Sequence, residues 1–141
     1  MFSKRVYVDH LRNVELFEQF TRKDLEKVAA AGVHMTLPDG KRLIEQGASG
    51  YDAYVLLRGT VQVRRNGRLM TTVGAGALIG ELALLDQGER TATATCVGEC
   101  DVLVLSRGTF LAIVDEMPVL AHKLLASLAS KVRELDKRAS I

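Results

Sequence analysis

The feature that most constrains this chain is a run of short, β-branched segments between Met35 and Ser106, each closed by a turn signal. The segments cover residues 42–44, 53–57, 60–64, 69–73, 91–95 and 101–105. Pro38-Asp39-Gly40, Gly47, Gly50, Gly59, Asn66-Gly67, Gly74 and Gly76 punctuate them. Short strands at regular spacing with turns between them predict a sandwich or barrel. Asn66-Gly67 is the strongest hairpin signal, because both residues tolerate positive φ between two alternating runs.

On either side of this run the apolar period changes from two to between three and four. From Asn13 to Ala31, Leu16, Phe17, Phe20, Leu25 and Val28 recur at helical steps, which predicts two short helices. Thr21 and Asp24 mark the start of the second, and Gly32 suits a left-handed residue just beyond its end. After Ser106, a capping hydroxyl, Phe110, Leu111, Ile113 and Val114 give one helix a core face. Pro118 opens another helix, whose apolar stripe is Val119, Leu120, Leu124, Leu125, Leu128 and Val132. The polar tail from Lys131 to Arg138 is expected to fray or to lead into something else. The expected division is a helical part over 1–34, a β-roll over 35–106 and helices over 107–141, forming one domain of 141 residues.

One stretch, Gly74 to Arg90, breaks the strand rhythm, and chemistry is expected there. Leu82-Ala83-Leu84-Leu85 is a helix-forming run only about one turn long, and the first amides of any helix lack internal partners. Gly80 before it lets a ligand approach the main chain. Arg90 stands at the mouth of the next strand, so amides and guanidinium could face one anion such as a phosphate. Glu81 supplies the opposite function, an acceptor for hydroxyl donors such as those of ribose. On charge types alone, Glu81 and Arg90 would serve equally well as an ion pair closing a surface loop.

Other functions find less support. With 19 basic and 17 acidic residues the net charge is +2, too small to make nucleic acid or a membrane surface the main partner. No apolar run is long enough to span a bilayer, and Met1 to His10 lacks the apolar core of a secretory signal. Cys96 and Cys100 read as ordinary thiols of a reducing cytoplasm, with a structural disulfide as the alternative. His10, His34 and His122 lack metal-ligand spacing, which weighs against a cupin-type metalloenzyme, and no catalytic triad can be read. The sequence stops after the last helix with no helix-turn-helix, so direct DNA contact is not expected.

Gly80-Glu81-Leu82-Ala83-Leu84-Leu85 followed by Arg90-Thr91-Ala92-Thr93 resembles the phosphate-binding cassette of the cyclic nucleotide-binding domain family. Gly47, Leu57-Arg58-Gly59-Thr60-Val61-Gln62-Val63 as strand–turn–strand, and Gly74-Ala75-Gly76 are similar landmarks in the same order. The resemblance runs from about Asn13 to Glu134. It implies a mainly β fold, an eight-stranded, jelly-roll-like β-roll with helices at its N-terminus and two at its C-terminus, and a cassette over 79–93. It further implies a non-catalytic regulatory domain that binds cAMP, with cGMP as the alternative. Glu81 would accept from the ribose 2′-hydroxyl and Arg90 would pair with the cyclic phosphate. Gly80, Leu82 and Ala83 would offer main-chain contacts, with Thr91 and Ala92 against phosphate and base. Thr91 is also compatible with a guanine amino group.

The final helix would cap the base, with Ser127, Lys131 and Arg133 as candidate contacts, and would signal to an effector protein or pair with a second copy as a homodimer. Two positions depart from the family pattern. Glu89 stands where proline is frequent, adding a carboxylate near the phosphate, and Ile79 replaces a common aromatic. A ligand-free interaction module therefore stays open as an alternative.

Overall fold

The computed structural model describes residues 4–86 and 88–138. Gln87 of the expected cassette, the first three residues and residues 139–141 of the expected C-terminal helical part lie outside the described residues.

Two helices lead the chain, α1 (Lys4–Arg12) and α2 (Arg22–Ala31), with a 3-10 turn over Glu15–Phe17 between them. Thr21 and Asp24 form a reciprocal capping box: the Thr21 hydroxyl accepts from the Asp24 amide, and the Asp24 carboxylate accepts from the Thr21 amide. Gly32 differs from expectation. Its φ is −78°, which any residue can adopt, but a Cβ there would stand 2.6 Å from Leu103 Cδ1. Close packing against the sheet, not a left-handed turn, requires glycine.

The β part comprises β1 (Val33–Leu37), β2 (Arg42–Ile44), β3 (Asp52–Arg65), β4 (Arg68–Val73), β5 (Leu78–Ile79) and β6 (Thr93–Ser106). All pairings are antiparallel: β1-β6-β3-β4 form a continuous path, β2 joins β6 and β5 joins β3. The fold is mainly antiparallel β with flanking helices, as expected. The described residues form six strands rather than eight. At Gly59 the expected turn is a bulge inside β3. The register shifts on both sides of Arg58, and φ of +115° at Gly59 bends the strand without reversing it. β6 likewise joins two expected strands into one of 14 residues. The Asn66-Gly67 hairpin forms with φ of 53° and 78°, linking directly paired Arg65 and Arg68.

Strand alternation then divides the core. Ala53, Val55 and Leu57 of β3 and Leu103 and Leu105 of β6 pack with the helices, around Phe17, Leu25, Phe110 and Leu120. The opposite sides, including Leu56, Val61, Ala94, Cys96, Cys100 and Val102, fill the roll. α3 (Arg107–Glu116) starts where the Ser106 hydroxyl accepts from the Thr109 amide. α4 (Val119–Arg138) begins one residue after Pro118 and stays helical through the tail expected to fray. Its stripe is split: Leu120 and Leu124 are buried, whereas Leu125 and Val132 are 63% and 56% exposed. Lys123 Nζ, 2.5 Å from Asp24 Oδ2, ties α4 to the start of α2.

Candidate functional site

The stretch that broke the strand rhythm forms a single 3-10 turn, Glu81–Leu84, opened by Gly80 at φ 77°. Left-handed geometry and a tight neighbour both call for glycine here, since a Cβ would stand 2.7 Å from Arg90 Nη1. Leu84 anchors the turn in the helical core, fully buried, while Leu82 points outward. The turn's position is therefore set by the helices as well as by the roll.

Arg90 is fixed from both ends. Its amide donates to Ala48 O and its carbonyl accepts from Gly47 N, each at 2.9 Å. Its side chain, half-buried, turns inward: Nη2 donates to Asp52 O at 2.6 Å and Nη1 to Gly80 O at 3.4 Å. Among the described residues no carboxylate lies in ion-pair range of this guanidinium, and Glu81 has no ion pair either. The two charges do not close the loop on each other.

Both line a cavity of about 430 Å³. Gly80, Leu82, Ala83, Thr91 and Ala92 line it as well, so all seven residues expected of the cassette come to one space. The strands add Val63 of β3 and Val73 of β4 as apolar lining, and Thr71, which also lines the cavity, stands directly opposite Val63 in the register. Sequence reasoning passed over these strand residues and Arg65, whose Nε donates to Thr91 O at 3.0 Å. Their step of two along each strand was the available signal. Glu89 and Asp86 also line the cavity, adding negative charge.

The candidate base contacts lie elsewhere. Ser127 is buried with its hydroxyl unpartnered, Arg133 is exposed, and Lys131 sits 4.0 Å from Glu15 beside a separate cleft that Glu81 also lines. None of the three lines the larger cavity. Among the described residues, no group of three or more His, Cys, Asp or Glu is arranged to hold a metal ion, and no helix is long and apolar enough to cross a membrane.

A profile of the cyclic nucleotide-binding domain matches residues 34–117, more than half of the chain. The chain belongs to the cyclic nucleotide-binding domain family. Relatives agree over most of its length. The cyclic AMP receptor protein of Thermus thermophilus is 32% identical over 131 residues, covering 89% of this chain and 61% of that protein. The crystal structure of the N-terminal domain of a Streptomyces coelicolor transcriptional regulator superposes with a TM-score of 0.85 at 32% identity, covering 92% of this chain and 94% of that one. The regulatory domain of Toxoplasma gondii PKA, crystallised with cAMP, gives 0.72 at 35% identity, over 78% of this chain and 44% of that one. The chain thus spans about three fifths of the length of the Thermus protein, and 17% of that of the cGMP-dependent protein kinase egl-4 of Caenorhabditis elegans.

Proposed function

We propose that this chain is a non-catalytic sensor that binds a cyclic nucleotide, cAMP with cGMP as the alternative, in the cavity beneath Gly80–Arg90. The observation that carries this is the pairing of functions in one space: an inward guanidinium committed to no carboxylate, and an unpaired Glu81, both lining about 430 Å³. That size suits a small organic ligand, whose sites run from roughly 300 to 1,000 Å³. Arg90 would hold the cyclic phosphate through charge-assisted bonds, and Glu81 would accept from the ribose 2′-hydroxyl. Gly80, Leu82 and Ala83 would meet the ligand with main chain, and Thr91 and Ala92 would lie against phosphate and base. The apolar wall of Val63 and Val73 suits a purine face. That the Toxoplasma relative was crystallised with cAMP supports the choice of ligand.

Transmission would run through α4. Leu125, Val132 and Leu135 are exposed along it, ready for a second copy or an effector protein. Ser127, Lys131 and Arg133 would reach the base only through a movement of this helix. Coupling of this kind is usually worth about 1–3 kcal/mol. The sensor would work in the cytoplasm, where Cys96 and Cys100 stay thiols.

A ligand-free interaction module is the competing function, and Glu89 favours it by bringing a carboxylate to the same cavity. Melting the protein against rising cAMP and cGMP separates the two. A ligand at 100 times its Kd stabilises the native state by about 2.7 kcal/mol and raises Tm. No shift with either nucleotide at millimolar concentration rejects the sensor.

A further inference from the structure

The guanidinium of Arg90 rests on a cradle of bare main chain. Asp52 O and Gly80 O accept from it, and beside them the chain passes at Gly50. A Cβ at Gly50 would stand 2.5 Å from Arg90 Nη2, 2.6 Å from Nε and 2.8 Å from Cζ. At those distances something must shift, and what a methyl at position 50 would displace is the movable end of Arg90. Gly50 is not among the residues with positive φ, so no left-handed backbone calls for glycine there. Turn geometry therefore does not explain the glycine; the guanidinium does. At Gly80 the two causes coincide, and at Gly50 they separate.

The position matters because Arg90 lines two spaces, the cavity of about 430 Å³ and a second of about 250 Å³ lined also by Gly50, Tyr51, Asp52 and Tyr54. Among the described residues, the side-chain hydrogen bonds that hold the guanidinium at this boundary go to the two carbonyls, with Gly50 close against it. Two donors are committed there, and the rest stay available to an anion in the larger cavity.

We infer that Gly50 is a positioning residue for the ligand's phosphate: by lacking a side chain, it lets Arg90 dock on the Asp52 and Gly80 carbonyls in the orientation that meets the anion. This rests on the sensor function proposed above. A docked guanidinium meets the anion without first being ordered, and that preorganisation is what a methyl group at position 50 removes.

The experiment has one arm without nucleotide and one with it. In the ligand-free protein, Gly50→Ala lowers Tm, because the methyl makes the guanidinium leave the Asp52 and Gly80 carbonyls. In an Arg90→Ala background the same substitution leaves Tm unchanged, because the space is vacant. Equal losses in both backgrounds, or no loss in either, overturn the inference. If Gly50→Ala alone does not fold, restoration by Arg90→Ala supports it, and failure in both backgrounds overturns it. With cAMP and cGMP, Gly50→Ala weakens binding about tenfold or more, the equivalent of one hydrogen bond to a charged group. Unchanged or tighter binding overturns the positioning role. A wild-type protein that binds neither nucleotide, yet keeps the Gly50–Arg90 coupling in Tm, rejects the sensor and with it the role toward phosphate, while the cradle itself stands.

Discussion

Two regions of this molecule bring arginine and carboxylate into one neighbourhood, and they use them in opposite ways. On β6, Asp101 is buried and saturated. It accepts from Thr36 Oγ1 at 2.6 Å and from Arg58 Nε at 2.6 Å, and lies 3.0 Å from His34 Nε2, while Arg58 also reaches Glu99 at 3.1 Å. The Thr36 hydroxyl does most to hold the Asp101 carboxyl below its usual range, with burial opposing and His34 and Arg58 assisting. Around the Gly80 turn, Glu81 and Arg90 face one cavity without pairing, and Arg90 spends donors on neutral carbonyls. A charge satisfied by its own protein ties strands together. A charge held in place but left unneutralised waits for a partner from solution.

The sharpest break of this contrast is Arg90→Ala. Removing the guanidinium of Arg90 from the cavity costs about 2–5 kcal/mol of binding, and calorimetry should show no measurable heat with cAMP or cGMP. The matched change Arg58→Ala in the other region should leave nucleotide affinity as it was. Retained affinity in the Arg90 variant would end the distinction between the two regions.

Next in size is Asp101→Asn, which leaves Arg58, His34 and Thr36 facing an amide. It should lower unfolding stability by about 1–3 kcal/mol, read as Tm, with nucleotide affinity unaffected. Its pH dependence has a definite sign. The folded-state value lies below the ordinary 3.8, so the stabilisation is fully present above about that pH. It is lost as pH falls through the lower folded value. The Tm gap between wild type and Asp101→Asn should therefore close in acid, and a gap constant from neutral pH to pH 2, roughly, would contradict the assignment.

Glu81→Gln is the mildest test. The amide still accepts from a hydroxyl but without charge, so binding should weaken by about 0.5–1.5 kcal/mol while Tm of the free protein holds. A fall in Tm would mean that Glu81 belongs with Asp101 as a structural carboxylate.

Much of this was legible from residue order because it depends on neighbours along the chain. Thr21 and Asp24 cap one helix, Ser106 caps another, and Asn66-Gly67 turns a hairpin, each through contacts only a few residues away. The motif was recognisable as a unit, and Gly80, Glu81, Leu82, Ala83, Arg90, Thr91 and Ala92 do line one cavity. Thr71 and Val73 were missed because each touches the cavity only once β4 has paired with β3. Ser127 shows the converse limit: a hydroxyl on the expected lid helix looked suited to a base, yet α4 buries it away from the cavity.

The succession of helices, β-roll and helices, the caps at Thr21 and Ser106 and the Asn66-Gly67 turn were determined by the sequence alone, because backbone preference and short-range hydrogen bonds act within a few residues. Tertiary structure alone decided that the turn expected at Gly59 became a bulge, that Gly32 and Gly50 serve close packing, and that Arg90 rests on Asp52, 38 residues away. Those outcomes depend on which distant surfaces meet, and a missing Cβ looks the same in sequence whether it frees a backbone or makes room for a guanidinium.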